Sequence, residues 1–272
     1  MAGYRYLTFL TDYGLEDGFV AACHGVAARI RPGVRIIDIT HLVPPGDVRR
    51  GAIVLAQTIP YLPPGVHVAV VDPGVGTARR GVAVAAGEHV FVGPDNGLLS
   101  WAVREAAGDG PVRAHELTNE ELWLHPVSAT FHGRDIFMPV AAHLAGGTAL
   151  EEVGRPLPPE DLMLLPPPVR RIRDGAAEGE VLTVDRFGNV QLSVTAADLE
   201  QVGVRAGEPM LLSLSRRRLT VPYRRTFGSV TPGELVAYAD SAGCIALAVN
   251  TGNAAQRLGL PPGARVRIAP AP

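Results

Sequence analysis

The first half of the chain alternates short apolar runs with amphipathic segments, a pattern typical of a layered α/β unit. The apolar run Tyr6–Leu10 predicts a buried strand, and the segment from Asp17 to Ile30 has the apolar spacing of a helix. The same pattern predicts a second helix at Gly46–Ile59 and further strands at Val34–Ile39, Val66–Val71, Gly81–Ala86 and His89–Val92. We therefore expect an α/β domain built on a mostly parallel or mixed central sheet.

A proline-rich segment separates this half from a different pattern. Residues 156–178 contain six prolines and then a charged stretch, which predicts a linker. Beyond it, short alternating runs separated by Gly, Asn and Asp predict a small β-barrel or sandwich. These runs are Glu180–Val184, Val190–Val194, Met210–Leu214, Arg218–Pro222, Leu235–Tyr238, Ile245–Val249 and Arg265–Ile268. The predicted organisation is an α/β domain (1–155), a linker (156–178) and a smaller all-β domain (179–272).

Composition narrows the possible functions. The 272 residues are 47% hydrophobic, which is enough for one large domain or for two small ones with cores of their own. The basic residues, all of them Arg, are balanced by acidic residues to a net charge of -2, so we expect no nucleic-acid partner. Cys23 and Cys244 are too few for a disulfide framework and are predicted to be buried thiols. Because neither a signal-like N-terminus nor a span of about 18 apolar residues is present, we expect a cytoplasmic protein without a membrane partner.

A first polar cluster follows the first predicted strand, where open α/β sheets bind their ligands. Asp17 is predicted to cap the helix that comes next. Asp12 leaves the strand directly, and its carboxylate suits either a helix cap or the two hydroxyls of a ribose. Spacing alone leaves both roles open.

A second cluster, Asp72–Arg80, follows the most apolar predicted strand. Its Asp-Pro-Gly turn would let the backbone approach a ligand closely. However, the spacing matches neither the P-loop nor the dinucleotide fingerprint, and no Lys follows. The alternative interpretation is a plain turn in which Arg79 and Arg80 are solvated.

A third cluster opens an amphipathic segment that ends near Leu144. His132 in this cluster is either a catalytic group or a hydrogen-bonded histidine beside a helix start. Arg134 and Asp135 are compatible with a simple surface pair. The nearby segment Gly93–Gly97 is interpreted as a structural turn.

A fourth cluster, Asp185–Asn189, lies between two strands predicted in the all-β domain. Its composition is typical of a hairpin turn. Phe187 flanked by a carboxylate and an amide also suits stacking and edge bonding on a purine. Both interpretations stay open on the residues alone.

A metal site is the other chemistry to weigh. Asp12, Asp72 and His132 together offer carboxylate and imidazole ligands. The sequence has no His-x-x-x-His, no Cys pair and no Asp-x-Asp spacing. We therefore expect no metal among the site residues.

Taken together and in chain order, these clusters resemble the S-adenosylmethionine hydroxide adenosyltransferases, relatives of the fluorinases and chlorinases. The matching segments are Thr11–Gly14, Val71–Arg79, Phe131–Asp135, Asp185–Asn189 and Ala248–Ala255. Each motif alone is weak, but their order and spacing extend along nearly the whole chain. The resemblance implies an N-terminal α/β domain, a C-terminal β-barrel and a homotrimer with active sites between one subunit's N-terminal domain and the next subunit's barrel.

The resemblance also implies a reaction, the hydrolysis of S-adenosyl-L-methionine to adenosine and L-methionine by attack of water or hydroxide at the ribose C5′. No cofactor is expected beyond this substrate. Asp72, Arg79 and His132 match the positions at which water-using members carry Asp, Arg and His, and they are the expected catalytic residues. A halide-dependent enzyme acting on the same substrate, or a nucleoside-binding module without catalysis, are the alternatives.

Substrate-binding roles are carried over from the same resemblance. Asp12 would hold the ribose hydroxyls, and Asp185 would hold the methionine ammonium. Adenine would lie against Phe187, Asn189 and the backbone near Val249 and Thr251. Ser241 matches a position for the methionine carboxylate, although Ala242 follows it where halide-using relatives can carry Arg.

Overall fold

The computed structural model describes residues 3–215 and 217–272. The chain divides into two compact units between Leu165 and Pro166. This division falls inside the segment 156–178 that the sequence predicts to be a linker. Part of that segment is ordered into strands, and it is free of strands between Pro158 and Val169.

The first unit is built on a seven-stranded sheet. Its order is β2-β1-β3-β5-β4-β6-β7, in which β2, β1, β3 and β5 run parallel and the remaining pairs are antiparallel. The strands are β1 Tyr6–Thr11, β2 Arg35–Thr40, β3 Val66–Val70, β4 Gly81–Ala86, β5 His89–Pro94, β6 Val112–Glu116 and β7 Pro156–Leu157. The expected mixed sheet is confirmed.

Two helices cover each face of this sheet. The helices are α1 Phe19–Ile30, α2 Val48–Thr58, α3 Ser100–Ala107 and α4 Met138–Gly146. Side chains of α1 and α4 share one buried cluster with β1 and β3, whereas α2 and α3 share a second cluster on the opposite face. The central strand β3 is buried at all five positions because both faces are covered.

Two predicted details of the first unit are wrong. Asp17 does not cap α1, because the N-cap is Gly18 and no side chain bonds the first turn. Asp47 performs that role in α2 by accepting a 2.9 Å hydrogen bond from the Arg50 amide. In addition, α3 and β6 were not predicted from the sequence; both are short and follow the turn at residues 93–97.

The second unit is a strongly curved eight-stranded sheet. Seven strands follow the order β12-β11-β15-β9-β10-β14-β13, and β8 pairs with β9. A single bridge between Tyr223 and Ala237 brings its two edges together, so the sheet is nearly closed into a barrel. The strands are β8 Arg170–Arg173, β9 Ala176–Val184, β10 Val190–Thr195, β11 Pro209–Ser213, β12 Arg218–Pro222, β13 Leu235–Ala239, β14 Cys244–Val249 and β15 Arg265–Pro270.

The predicted α/β domain and smaller β-barrel are therefore confirmed as fold classes. All seven strands predicted for the second unit are present, and the sequence missed β8 and two short helices, α5 Ala196–Gln201 and α6 Ala254–Leu258. Cys23 is buried as predicted, Cys244 is only partly buried, and both are free thiols. Within the described ranges, the helices are all too short or too polar to cross a membrane.

Candidate functional site

Asp12 and Asp72 lie at one edge of the first unit's sheet. Strands β1 and β3 are parallel neighbours with Thr11 opposite Val70, so the residues that leave their carboxyl ends emerge side by side. The Gly46 amide donates a 2.8 Å hydrogen bond to Asp12 Oδ2. Asp12 therefore anchors the loop before α2 and is not a cap of α1, which removes one of its two predicted roles.

Arg79 joins Asp72 to His132. Its Nε lies 3.0 and 2.9 Å from the two Asp72 oxygens, and its Nη2 lies 2.5 Å from Oδ2. The same Nη2 lies 2.8 Å from His132 Nδ1. Only 5% of the Asp72 side chain and 13% of the Arg79 side chain are exposed. These three residues form one hydrogen-bonded group, which we call the reaction cluster.

The guanidinium of Arg79 fixes the chemical form of His132. Arginine has no acceptor, so Nη2 must donate and Nδ1 must accept through its lone pair. The neutral ring then carries its proton on Nε2. Burial, followed by the Arg79 cation, lowers the pKa of His132 below its ordinary value, while Asp72 acts in the opposite direction. His132 is therefore a neutral imidazole near pH 7 whose Nε2 is a donor.

Two further contacts hold the loop that carries Asp72 and Arg79. Asn96 Nδ2 donates a 2.9 Å hydrogen bond to the Val71 carbonyl, directly before Asp72. Arg80 pairs with the buried carboxylate of Asp95 at 2.6 Å. The alternative of a plain turn with solvated arginines is therefore wrong for both Arg79 and Arg80. The predicted turn at residues 93–97 is a structural support for this loop.

His132 lies at the start of an irregular helical segment. Gly133–Phe137 forms one π-helical turn that continues into α4, and the Phe137 ring lies 5.0 Å from the Arg79 guanidinium carbon. Arg134 and Asp135 do form a pair at 2.6 Å, but Asp135 is fully buried and also accepts a bond from the Ser128 amide. The expectation of a surface pair is therefore wrong, because this pair holds the loop before His132 in place.

Tyr13 closes the reaction cluster on the side of β1. A methyl group built on Gly133 would lie 2.0 Å from the Tyr13 hydroxyl oxygen, so the glycine is required for this close approach. Burial and the nearby Asp12 and Asp72 carboxylates raise the pKa of Tyr13, and Arg79 opposes them. The phenol thus stays protonated, and it supplies a polar group that the sequence analysis gave no role.

In the second unit, Asp185–Asn189 forms the hairpin turn between β9 and β10. Asp185 accepts hydrogen bonds from the amides of Phe187 and Asn189 at 2.8 and 2.9 Å, and from Asn189 Nδ2 at 2.8 Å. Gly188 adopts a positive φ of 83° against the Asn253 side chain. The Phe187 ring is left 73% exposed at the tip. The hairpin interpretation is confirmed, and the aromatic surface that a purine would need is present.

The remaining predicted binding residues lie at the two ends of β14. Ser241 is exposed in the β13–β14 turn, which Asp240 holds by accepting from the amides of Ala242 and Cys244. Val249 ends the strand, and its carbonyl accepts a 2.9 Å bond from the Gly252 amide. Thr251 has a φ of 59°, which is unusual for a β-branched residue. Ser241 is therefore separated from Val249 and Thr251 by the length of the strand.

Sequence comparisons decide the family. The model of the SAM hydroxide adenosyltransferase N-terminal domain matches residues 7–154, and that of the C-terminal domain of the same family matches residues 179–267. The chain belongs to the SAM hydroxide adenosyltransferase family. The resemblance drawn from the four polar clusters is thereby confirmed.

Individual relatives place this member within the SAM hydroxide adenosyltransferases. The chain is 56% identical to a Salinispora tropica protein named (R)-S-adenosyl-L-methionine hydrolase, over 98% of this chain and 99% of that protein. It is 29% identical to an Actinoplanes fluorinase, over 98% of each. A crystal structure of an uncharacterized conserved protein from Thermotoga maritima superposes with a TM-score of 0.90 at 38% identity, over 97% of this chain and 99% of that one.

The side chains of Asp12, Asp72 and His132 do not form a metal site. Asp72 and His132 Nδ1 both bind Arg79, which places a cation where a metal would otherwise lie. Within residues 3–215 and 217–272, the histidine and carboxylate donors that do converge are those of His24, Asp38 and His41. Sequence spacing gave no signal for them because they come from α1, β2 and the loop after β2.

Proposed function

We propose that this chain hydrolyses S-adenosyl-L-methionine to adenosine and L-methionine by attack of water on the ribose C5′. The observation that carries the proposal is the reaction cluster, in which one buried arginine holds both a carboxylate and a neutral imidazole. Such a polar, charged site suits a water molecule, whereas a halide ion would be repelled by Asp72. The names of the hydrolase relatives at about half identity support the same reaction.

Full transfer of a water proton in advance of attack is too costly to be the mechanism. Water has a pKa of about 15.7 and an ordinary Asp about 3.9, so free hydroxide would cost roughly 16 kcal/mol at ~1.36 kcal/mol per unit. The oxygen must therefore lose its proton as the bond to C5′ forms. Holding the oxygen in line with the breaking C–S bond can contribute about 7 to 11 kcal/mol.

Within the reaction cluster we assign the proton to Asp72. The Nδ1 lone pair of His132 is already used by Arg79, so the imidazole is not free to act as a base at that nitrogen. A carboxylate has about four lone-pair sites and can accept the water proton beside its bonds to Arg79. The Arg79 guanidinium, held in place by His132, then orients and stabilises the oxygen. His132 is therefore not a second proton acceptor at Nδ1.

The step balances without any further reactant. The water oxygen forms the new bond to C5′ while the C–S bond breaks, and the sulfonium sulfur takes that electron pair and leaves as the neutral thioether of methionine. The proton lost by water goes to Asp72 and then to solvent. The substrate thus supplies the leaving group, and we propose that no cofactor takes part.

Substrate binding is assigned residue by residue. Asp12 Oδ1 would accept a ribose hydroxyl, while Oδ2 stays on the Gly46 amide. Phe187, Asn189 and the backbone at Val249 and Thr251 would bind adenine. Asp185 and Ser241 would bind the methionine ammonium and carboxylate. The exposed ring of Phe187 supports the adenine assignment, because stacking needs an uncovered face.

We further propose that the active enzyme is a cytoplasmic homotrimer in which each site combines residues of two subunits. The free thiols Cys23 and Cys244 are compatible with a reducing compartment. The decisive test is to co-express two impaired variants, Asp72→Asn and Phe187→Ala combined with Asn189→Ala, and to assay them at a low substrate concentration. Mixed trimers should regain activity, because some sites then receive both intact halves. Failure to recover activity in mixed trimers of confirmed mass would place the site within one subunit.

The reaction itself is tested by incubating the purified protein with S-adenosyl-L-methionine in oxygen-18 water, with and without chloride, followed by mass spectrometry. Labelled adenosine and free methionine, independent of chloride, are expected. A chlorinated nucleoside would assign the chain to the halide-using branch. Binding without turnover would indicate a non-catalytic module. Asp72→Asn serves as the matched control for background hydrolysis.

A further inference from the structure

Three metal-binding side chains converge in the first unit outside the reaction cluster. His24 projects from α1, Asp38 from β2 and His41 from the loop that follows β2. Asp38 Oδ1 lies 2.9 Å from His24 Nε2 and 3.2 Å from His41 Nε2. One donor atom from each residue lies within 4.8 Å of the other two. We call these residues the histidine cluster, and the proposed hydrolysis uses none of them.

His41 is the unusual member of the histidine cluster. Its side chain is only 3% exposed, and its Nδ1 lies 2.8 Å from the Thr11 hydroxyl. Its Nε2 is buried, and its polar neighbour is Asp38 Oδ1 at 3.2 Å, an ion-pair contact that falls short of well-aligned hydrogen-bond geometry. Buried polar nitrogens are rarely left without a partner. When Nδ1 carries the proton and donates to Thr11, the Nε2 lone pair faces a carboxylate oxygen, an arrangement that a cation between them would stabilise.

The surroundings favour the neutral, metal-binding form of the His41 imidazole. Burial lowers the pKa of His41, and the neighbouring His24 lowers it further, whereas Asp38 opposes both. The Phe9 ring packs 4.9 Å from the His41 ring and forms an apolar wall. On the other side, 33% of the His24 side chain and 41% of the Asp38 side chain are exposed, which gives an ion a route in from solvent.

We propose that the histidine cluster binds a divalent transition-metal ion of the Zn²⁺ class through His24 Nε2, Asp38 Oδ1 and His41 Nε2. Ligand distances of about 2.0 to 2.2 Å around tetrahedral zinc separate neighbouring ligand atoms by roughly 3.3 Å. The two distances to Asp38 are therefore already close to those a bound ion requires. A water molecule would complete the four ligands. The Thr11 hydroxyl is the outer partner that fixes the His41 tautomer.

This site would stabilise the edge of the sheet that holds Asp12. The His41 carbonyl accepts a 2.8 Å bond from the Gly14 amide, and the Val43 amide reaches the Thr11 carbonyl. A bound ion would therefore tie α1, β2 and the loop after β2 to the segment Thr11–Gly14. Because the ion is not within the reaction cluster, its role is to stabilise this loop rather than to activate water.

Titration of the metal-free full-length protein with Zn²⁺ by calorimetry tests the proposal, and the visible absorption of bound Co²⁺ provides a second measurement. We expect one ion per chain, a cobalt spectrum typical of four ligands and a rise in Tm on adding Zn²⁺. Asp38→Asn and His24→Gln should each weaken binding by at least about tenfold. His143→Gln removes another partly buried histidine of the same unit and should leave the affinity within about twofold.

Several results would overturn the proposal. The proposal is wrong if far less than one ion binds per chain. It is also wrong if Asp38→Asn and His24→Gln both leave the Zn²⁺ affinity unchanged. Equal weakening in His143→Gln would show that Zn²⁺ binds surface histidines in general. Circular dichroism of each variant establishes that the loss of binding does not follow from unfolding. None of these measurements depends on hydrolysis, so the metal proposal and the proposed function can fail separately.

Discussion

Asp72 and Asp185 are both carboxylates at the end of a strand, but the protein holds them in opposite ways. Asp72 is held by the side chain of Arg79, which also binds His132, 53 residues further along the chain. Asp185 is held by the amides of its own turn, and the neighbouring Phe187 is exposed. The reaction cluster is thus oriented before substrate arrives by contacts between distant segments. The hairpin is a local structure that presents an exposed aromatic ring.

The largest effect that would test this contrast is expected for Asp72→Asn. We expect kcat to fall by about 10³-fold, because in the proposed mechanism the carboxylate accepts the water proton and balances Arg79. Adenosine affinity, measured by calorimetry, should stay within about threefold. The buried Arg79 cation loses its partner, so the free energy of unfolding should also fall by about 3 kcal/mol.

The matched control for Asp72→Asn is Asp185→Asn. The Asp185 carboxylate is surrounded by the backbone amides of an exposed turn, and its proposed role is to bind substrate. We therefore expect the substitution to act mainly on KM. Urea denaturation of both variants separates lost stability from lost chemistry. Near-normal turnover by folded Asp72→Asn would remove the carboxylate from the mechanism and with it the contrast between the two regions.

The next largest effect is expected for Gly133→Ala. The added methyl group would meet the Tyr13 hydroxyl at 2.0 Å, so either Tyr13 or the segment that carries His132 must shift. A displacement of about 1 Å in a reacting group costs on the order of 10²-fold in rate, and we expect a loss of kcat of that size. Steady-state kinetics with S-adenosyl-L-methionine measures it.

A second substitution makes the Gly133→Ala prediction specific. Tyr13→Phe removes the oxygen that the methyl group would meet, so the double variant should recover part of the lost kcat. Gly25→Ala lies in α1 with no atom within 4 Å of the new methyl group and should leave kcat unchanged. If Gly133→Ala behaved like Gly25→Ala, the close packing around His132 would not matter for turnover.

For the hairpin, Phe187→Ala should raise KM by about tenfold with a much smaller change in kcat. Stacking a base on an aromatic ring contributes about 1 to 3 kcal/mol, and this ring contributes little to packing because it is exposed. The Tm should therefore stay within about 2 °C of the unsubstituted protein. Phe227→Ala, another exposed phenylalanine of the second unit, is the control. A large drop in Tm with unchanged KM would make Phe187 a structural residue.

The same contrast explains what the sequence could and could not predict. The hairpin at Asp185–Asn189 follows from neighbouring residues and their turn preferences, so composition alone indicated it. The contact of Arg79 with both Asp72 and His132 depends on how β3 and α4 pack. The spacing of apolar residues along the chain does not show which arginine side chain points into the protein. The resemblance supplied those three residues together. It assigned no role to Tyr13, Asn96 or the histidine cluster, whose partners are distant in sequence.

The smallest effect, and the most direct test of how the reaction cluster is held, concerns the titration of His132. Its pKa is lowered by burial and by the Arg79 cation, and Asp72 opposes this. Because the pKa of His132 is lower in the folded protein than in the unfolded chain, its contribution to stability is complete above about pH 6.5. That contribution is lost as the pH falls towards the pKa of the folded state. Activity that needs the neutral ring should therefore decline only below about pH 6.5.

NMR titration of the His132 ring proton measures this pKa directly, with His132→Asn to assign the signal. Removing the opposing anion in Asp72→Asn should move the pKa of His132 further down, whereas Asp185→Asn in the other unit should leave it in place. A pKa at or above about 6.5 in the unsubstituted protein would contradict the bond from Arg79 to Nδ1, because a protonated ring cannot accept it.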